Sequence, residues 1–383
     1  MKTLFIVNLT GLIIGISYGL QGPIIPIFAK DVLGASYVDI GFVGFANFAP
    51  YMFIPILVGI LLDRFNNSRL LSIGIILNTL SVYILTLAQS IPDVIISRII
   101  AGVAHAFFWP SSEAIISNSS TPSSRVSNLA KFSGLFITGF MIGPFLGGIL
   151  FDRFDATYTT LFQVSMFILA STILFGIKPN KKITYMRHRR IYFSFNAIRK
   201  LLKFPEIISM LFFCTISFGT ILAVYPAYLH DNAFSLVEIE VMFFIFGMSR
   251  VATLICANFF KKRTKISLLL IICSITIALA MSSIPGDFWW FISIMLLFGF
   301  GFSIFFPLSL DIILNKIGKN ESGGAIGAYE TIFGIGWTMG PFFAGFLSMG
   351  FSESTPYMLY AIFGTIIIAM IIIRRDKLVF KYQ

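Results

Sequence analysis

The stretch Gly139-Phe140-Met141-Ile142-Gly143-Pro144-Phe145-Leu146-Gly147-Gly148 decides the fold, because the chain contains its pattern twice. The second copy is Gly336-Trp337-Thr338-Met339-Gly340-Pro341-Phe342-Phe343-Ala344-Gly345. Both copies place Gly-x3-Gly-Pro-x3-Gly inside a long apolar run, and 336 − 139 = 197 gives the offset between them. The same offset relates Gly102 to Gly299 and Pro110 to Pro307. A shared offset in neighbouring segments indicates a duplicated chain whose two halves follow one plan.

The composition places this duplicated chain in a membrane. Of its 383 residues, 57% are hydrophobic and 12% are charged, and the mean hydropathy is +0.90. A soluble globule of this composition would lack the polar surface to cover itself. The apolar residues form blocks of about 20, which is the length of a helix that crosses ~30 Å of hydrocarbon. Lipid offers no partner to an open sheet edge, so these blocks are predicted to be helices.

The sequence predicts twelve membrane spans. They lie at 4–28, 38–62, 69–90, 93–117, 127–150, 157–177, 205–229, 236–260, 265–284, 288–313, 323–348 and 354–373. We therefore expect an all-α integral membrane protein of two pseudo-symmetric six-helix bundles. The predicted division is an N-terminal bundle at 1–177, a basic linker at 178–204 and a C-terminal bundle at 205–383.

The basic residues predict the orientation. If both termini and the even-numbered loops share one side, that side holds 24 of the 28 Lys and Arg residues, nine of them in the linker. The positive-inside rule makes this side cytoplasmic. Most acidic residues then fall at the outer side, among them Asp31, Asp231, Glu238 and Glu240. We expect a multi-pass protein of the plasma membrane with cytoplasmic termini.

Several other protein classes lack support in the sequence. Cys214, Cys256 and Cys273 lie far apart in apolar runs, which indicates core residues rather than disulfides or a metal site. The apolar N-terminus continues as a full span and lacks a signal-peptide cleavage pattern. The net charge of +11 is spread over alternate loops, which does not suit nucleic acid. Since no nucleophile–base pair, metal cluster, phosphate loop or soluble domain is recognised, an enzyme or receptor is not expected.

Two further motifs accompany the repeated stretch: Gly59-Ile60-Leu61-Leu62-Asp63-Arg64-Phe65-Asn66 after span 2, and Arg98-x3-Gly102 in span 4. With these motifs the chain resembles the major facilitator superfamily of secondary transporters over essentially its whole length. The first motif is similar to the family's G-x-x-x-D-R-x-G-R-R signature between spans 2 and 3, with Asn66 in place of a glycine. Arg98-x3-Gly102 resembles the family's intramembrane arginine motif, and the span 5 stretch resembles the signature of the 12-span drug:proton antiporter branch. The resemblance implies alternating access between two bundles.

The resemblance implies a gating network in the first half and close helix packing in both. After span 8 the acid of the signature is absent, so the gating role is expected only in the first half. The expected gating residues are Gly59, Asp63, Arg64, Arg69 and Glu113, with Glu113 paired to Arg64 or Arg69. The expected packing residues are Gly139, Gly143, Pro144, Gly147, Gly148, Gly336, Gly340, Pro341 and Gly345. The many mid-span Pro and Gly residues are expected to shape a cavity or hinge.

Span 4 carries a stripe of chemically active side chains. At 100° per residue, Arg98, Gly102, His105, Trp109 and Glu113 share an arc of about 80°, so we expect them to face a water-filled cleft. Two interpretations of His105 stand: proton exchange, or a neutral imidazole hydrogen-bonded in the core. Arg98 either holds a neighbouring acceptor or tunes a proton carrier.

The second half offers three further charged residues within spans. Arg250 lies in span 8, Asp311 in span 10 and Glu330 in span 11. A carboxyl buried without a counter-ion favours its protonated form, which suits a proton carrier, but Glu330 could equally pair near the cytoplasmic end. The proton-coupling candidates are Glu330, His105, Arg98 and Asp311, and the substrate-cavity candidates are Arg98, His105, Trp109, Tyr225, Arg250, Glu330 and Trp337.

The expected function is export of lipophilic or cationic compounds by proton antiport. The alternative is proton-coupled uptake or exchange of a small metabolite such as an organic acid or sugar, which the two mid-span arginines favour. The expected partners are a small-molecule substrate, protons and lipid, with no cofactor and a monomeric state. Protons are the expected coupling ion, and sodium is the alternative.

Overall fold

The computed structural model describes residues 2–62, 65–121, 124–174, 205–256, 259–260, 263–317 and 322–373. Within these ranges the regular structure consists of helices. The helices of the first half follow the predicted spans in order. They are α1 (Lys2–Gln21), α2 (Ile24–Asp31), α3 (Tyr37–Phe48), α4 (Ile54–Leu62), α5 (Asn67–Leu87), α6 (Ile91–Asn118), α7 (Arg125–Phe154) and α8 (Tyr158–Leu174).

The second half repeats this arrangement. Its helices are α9 (Pro205–Ala223), α10 (Tyr225–Asp231), α11 (Leu236–Ile255), α12 (Thr264–Ser282), α13 (Phe288–Ile317), α14 (Ser322–Gly350) and α15 (Thr355–Ile373). Each of the twelve predicted spans coincides with one helix or with two consecutive helices. The predicted linker at 178–204 lies outside the described residues, so the predicted bundle boundaries stay a prediction.

Three spans are broken at or close to a proline. The first span breaks between α1 and α2 at Gly22-Pro23, and the second passes through a 3₁₀ turn at Ala49–Met52 that contains Pro50. The seventh breaks at Val224, just before Pro226. Pro has no N–H and its ring clashes with the preceding turn, so each break redirects the helix.

Polar side chains fix where several helices start. Asn66, which replaces the glycine of the family signature, caps α5 by accepting a hydrogen bond from the Ser68 N–H at 2.9 Å. Ser36 and Asp39 form a capping box at the start of α3, and Ser235 and Glu238 form one at the start of α11. These reciprocal bonds satisfy N–H groups that have no partner within the helix.

The helix contacts repeat between the halves. In the first half α1 packs on α7, α5 on α6 and on α8, and α3 on α6. The matching pairs in the second half are α9 on α14, α12 on α13 and on α15, and α11 on α13. Contact between the halves follows the same symmetry, because α3 packs on α14 and α7 on α11. The prediction of two pseudo-symmetric helical bundles is confirmed.

The outer surface of the bundle suits lipid. Ten helices in the described part of the chain are long and apolar enough to cross a membrane; Tyr158–Ile173 is apolar but shorter, and α11 carries Glu238, Glu240 and Arg250. Large apolar side chains such as Phe53, Phe154 and Ile373 are exposed. Such a surface would drive aggregation in water but is stable against hydrocarbon chains.

Candidate functional site

The span 4 stripe lies on α6 and faces other helices of the first half. His105 meets the ring of Tyr18 on α1 edge-on, with ring centroids 4.7 Å apart. The Tyr18 hydroxyl accepts a hydrogen bond from the Asn78 amide at 2.6 Å. Trp109 packs against Phe136 on α7, with centroids 4.7 Å apart. His105 and Trp109 are both partly buried, so this face of α6 is tightly packed yet reaches free space.

Arg98 is the cation of this face. It is partly buried, and its Nε atom is buried without a hydrogen-bond partner in the described part of the chain. Gly102, one turn along, lies against the backbone oxygen of Asn47 and the ring of Pro50, where a side chain would not fit. Gly102 therefore serves the packing of α6 on the kink of the second span. The unpaired Nε of Arg98 can donate to an anionic group.

Arg250 is the corresponding cation of the second half. Its guanidinium carbon lies 5.1 Å from the ring centroid of Phe218 on α9 and 5.5 Å from that of Phe246 on α11. Its Nε atom is buried and has no hydrogen-bond partner among the described residues. Ser303 on α13 donates to the Arg250 carbonyl at 2.7 Å, which ties the two helices together at this point. Among the described side chains, Arg250 is thus held by aromatic rings and forms no ion pair with a carboxylate.

Three stacked rings connect this arginine to the first half. We call Phe48, Trp337 and Phe218 the aromatic stack: Trp337 on α14 stacks on Phe48 of α3 at 4.4 Å and on Phe218 of α9 at 5.7 Å. The Trp337 Nε1 is buried and lacks a hydrogen-bond partner in the described ranges. The sequence singled out Trp337 but not its two neighbours, which come from other spans. The stack places flat apolar faces, a free N–H donor and a guanidinium side by side.

Two further cavity candidates are Tyr225 and Glu330. Tyr225 is fully buried within the second half, where its hydroxyl shares a hydrogen bond of 2.7 Å with Ser282 and its ring packs on Tyr357. Glu330 lies on α14 and Asp311 on α13, but both side chains fall outside the described part of the structure. The proposed coupling roles of these two carboxyls stay predictions.

The gating motif is described only in part. Gly59 lies in α4, whereas Asp63 and Arg64 fall outside the described residues. Arg69 and Glu113 are both exposed, and the described residues contain no ion pair between them. The predicted pairing of Glu113 with Arg64 therefore stays a prediction.

The repeated glycine motif lies at close helix contacts. A Cβ added to Gly139 or Gly143 would collide with backbone atoms of α1, and one added to Gly336 or Gly340 would collide with Thr215 or Ile216 on α9. Pro144 and Pro341 lie in the same two helices, α7 and α14. Gly345 meets the backbone of Tyr37 and Gly41 across the two halves, so the motif also serves the contact between the bundles.

Charged groups join the halves at one end of the molecule. We call this the closed end: Lys30 of α2 pairs with Asp231 of α10, and His230 approaches Asp31 at 3.4 Å. Tyr37 donates to Asp231 at 2.5 Å, and Tyr158 of α8 donates to Asp31 at 2.8 Å. The Lys30–Asp231 ion pair, the His230–Asp31 contact and the Tyr37 hydrogen bond therefore connect α2 and α3 with α10. The Tyr158 hydrogen bond ties α8 to α2 within the first half.

Glu240 is a buried acid that the sequence did not single out. The sequence places it at the outer side of the membrane with other acids, and it lies fully buried in the second turn of α11 against Gly147 of α7. Both carboxyl oxygens lack a hydrogen-bond partner in the described part of the protein. No local sequence pattern links Glu240 to the glycine motif, because the two lie on helices of different halves. Among the described residues, no three His, Cys, Asp or Glu side chains come together as a metal site.

The fold and the site define a class of protein. Two repeated helical bundles meet at an interface that holds charged and aromatic groups, and this is the architecture of a secondary transporter. A sequence model of the Major Facilitator Superfamily matches residues 7–341. The chain belongs to this family and is a multi-pass membrane transporter rather than an enzyme.

Its relatives are distant but span the chain. It is 23% identical to the quinolone resistance protein NorA of Staphylococcus aureus over 392 residues, covering 100% of this chain and 99% of the relative. It is 25% identical to an uncharacterised MFS-type transporter of Methanocaldococcus jannaschii over 379 residues, covering 96% of each.

Solved structures of transporters share the fold. The crystal structure of the nucleoside transporter NupG superposes with a TM-score of 0.79 at 15% identity and covers 100% of both chains. A bacterial homologue of the human lysosomal transporter Spinster, in an inward-facing and unoccupied conformation, gives a TM-score of 0.75 at 13% identity over 98% of this chain and 96% of that one. At these identities the likeness establishes the fold alone.

Proposed function

We propose that this transporter exports flat, lipophilic aromatic compounds in exchange for protons. The observation that carries the proposal is the aromatic stack of Phe48, Trp337 and Phe218, which crosses the contact between the bundles. Aromatic rings stack on flat ligands by apolar contact, and each ring pair contributes about 0.5–1.5 kcal/mol beyond its buried area. A ligand inserted here touches both bundles, so its binding is coupled to their movement.

The charges around the stack refine the substrate class. Arg250 lies over Phe218 and forms no ion pair among the described residues. A guanidinium repels a simple cation and attracts a carboxylate or another anionic group. The preferred substrate is therefore an aromatic amphiphile that carries an anionic or zwitterionic group. The likeness to a quinolone resistance protein supports an export role.

The contacts between the halves support an exporter whose substrate enters from the cytoplasm. Under the positive-inside orientation, the closed end faces the outside. The described contacts between halves run from Lys30–Asp231 at this end to Phe48–Trp337 and Gly247–Met141 further in. Substrate would reach the stack from the opposite end. The protons would be carried by one or more of Glu330, Asp311 and His105, with Arg98 tuning the carrier.

The test is proton flux in energised inside-out vesicles after addition of a lipophilic aromatic compound. Protein-dependent release of protons from the lumen is expected, and vesicles without the transporter give the background. Trp337→Ala should lower the apparent affinity by about fivefold or more, because it removes two stacked pairs. Trp289→Ala is the matched control, since Trp289 is exposed on the lipid-facing surface. Equal effects of the two substitutions would contradict the binding role of the stack.

A second candidate is proton-coupled uptake of a small organic anion. It is favoured by Arg98 and Arg250, whose Nε atoms are both buried and unpaired among the described residues. A growth screen separates the two functions. Raised tolerance of expressing cells to several unrelated dyes supports export, whereas a growth defect of cells without the protein on one carbon source supports uptake.

A further inference from the structure

The carboxyl of Glu240 occupies a recess made by two glycines at the contact between the halves. Glu240 is 0% exposed, and both its oxygens lack a hydrogen-bond partner in the described structure. A Cβ added to Gly147 would lie 3.2 Å from its Oε1, and one added to Gly148 would lie 3.5 Å from its Cβ. The carboxyl therefore fills the space that the missing side chains leave on α7.

No charged group faces this carboxyl from the described parts of the helices around it. On α7, Asp152 and Arg153 are exposed and lie 3.4 Å from each other, and Lys131 lies several turns away. On α11, Glu238 caps its own helix by accepting from Ser235. On α10, His230 and Asp231 are engaged with Asp31 and Lys30, and the hydroxyls of Tyr225 and Tyr228 bond to Ser282. The segment Phe288–Leu310 of α13 contains no ionisable residue.

Ionising the Glu240 carboxyl in these surroundings costs free energy. Removing a charge from water without a counter-ion or hydrogen bonds costs several kcal/mol, whereas a neutral carboxylic acid costs much less. The closed contact between α7 and α11 is therefore compatible with the protonated acid and not with the anion. Separation of the two helices would expose the same carboxyl to water, where it ionises.

The internal symmetry indicates that packing alone does not require a carboxyl here. The 197-residue offset relates Glu240 to Val43 on α3, which is also buried, at 4% exposure. The symmetric contact thus has an apolar side chain at the matching position. Replacing a buried ionisable group by an apolar one commonly leaves stability unchanged or raises it. Stability therefore does not explain the carboxyl of Glu240, which points to a functional role.

We propose that Glu240 is a proton-binding site between the two halves, and that the closed end shuts only when its carboxyl carries a proton. Opening breaks the O–H bond and releases the proton to water at that end, and closing takes one up. Acid outside the cell would then return an emptied exporter to the state that accepts substrate from the cytoplasm. This inference rests on the proposed proton-coupled function. The Glu240 proton enters and leaves at the outer end, so it sets which conformation the exporter adopts, and the protons exchanged for substrate are carried by other groups.

The test is a distance measurement across the closed end at different pH values. Spin labels are attached at Thr159→Cys and Ile284→Cys, both exposed near this end in opposite halves, with the three native cysteines replaced. The protein is held in lipid nanodiscs without substrate from about pH 5 to about pH 9. One linked proton makes the closed-to-open ratio fall by up to about tenfold per pH unit, because the closed state is the one that binds the proton.

Three variants assign this response to its group. Glu240→Gln, which mimics the neutral acid, should keep the closed distance over the whole range, with the pH slope lost. Glu238→Gln removes a neighbouring carboxyl while glutamine preserves the capping box, and it should keep the wild-type slope. His230→Gln removes the imidazole that approaches Asp31 at this end and should also keep a one-proton slope.

The distance measurement tests the role of Glu240 independently of transport. A wild-type distance that does not change with pH overturns it, and so does a wild-type slope that persists in Glu240→Gln. If the glutamine variant does not fold, Glu240→Met serves, because its apolar side chain should likewise hold the closed state. An infrared band of a protonated carboxyl that vanishes in the variant gives direct support. Failure of the vesicle assay would reject the export proposal but leave this pH response measurable.

Discussion

Arg250 shows how a single residue can set substrate preference. Its guanidinium is held by the rings of Phe218 and Phe246 and is not neutralised by an acid in the described structure. A ligand carboxylate could therefore form charge-assisted hydrogen bonds with it, which contribute about 1.5–3 kcal/mol. Arg250 and the aromatic stack then recognise different parts of one amphiphilic ligand.

Substitution of this residue gives the first prediction. Arg250→Gln should reduce transport of an aromatic carboxylate by about tenfold or more, and should affect the matching neutral amide much less. Initial rates for the two compounds in vesicles give the measurement. Arg153→Gln is the control, because Arg153 is an exposed cation next to Asp152. A similar loss for both compounds would indicate that Arg250 supports the fold rather than the substrate.

The pair α1 and α7 shows how helices approach each other in this fold. Gly15 and Gly19 of α1 face the backbone of Phe136 and Phe140, and Gly143 of α7 faces the backbone of α1 in return. Backbone atoms cannot rotate away from an added methyl group as a flexible side chain can. The glycines of the first copy of the motif thus allow α1 and α7 to pack closely.

A pair of alanine substitutions tests this element. Gly143→Ala should lower stability by about 1–3 kcal/mol, since its Cβ would overlap backbone atoms of Ile16 and Leu20. Gly134→Ala lies on the same helix with nothing within 4 Å of its Cβ, so it should raise stability by up to ~1 kcal/mol through helix propensity. Thermal unfolding of the purified variants gives the comparison. Shifts of the same sign would refute the close-approach role.

The closed end concerns the whole molecule, because its ion pairs join the two halves. The Lys30–Asp231 pair is partly exposed, with 25% and 16% of the two side chains accessible. Such a pair contributes roughly 1 kcal/mol, which is enough to shift a balance between two conformations about fivefold. Transport needs both conformations, so a modest bias is what a reversible gate requires.

Breaking this pair should open the closed end. Lys30→Ala is expected to lower the closed-to-open ratio by about fivefold in the Thr159–Ile284 distance measurement. The charge-swapped double variant Lys30→Asp with Asp231→Lys should restore part of the ratio. Asp152→Asn is the control, as it breaks an ion pair within one half. An unchanged ratio in Lys30→Ala would show that the pair does not hold the end shut.

The sequence by itself determined the membrane class, the repeat and the course of the twelve spans. These features depend on local patterns: apolar blocks of the length of a bilayer, a shared offset, and prolines where helices break. The family membership followed from motifs of adjacent residues. The 100° periodicity also grouped Arg98, His105 and Trp109 on one face of α6, because residues of a single helix keep a fixed angular relation.

Only the tertiary structure decided which side chains meet across helices. The aromatic stack takes Phe48, Phe218 and Trp337 from three helices and both halves, and nothing in their local sequence links them. Glu240 reads locally as a surface acid in the second turn of a helix, yet it is buried because α7 presents Gly147 to it. Burial depends on how each helix is rotated against its neighbours. That rotation is set by contacts between residues far apart in the chain, and local patterns do not contain it.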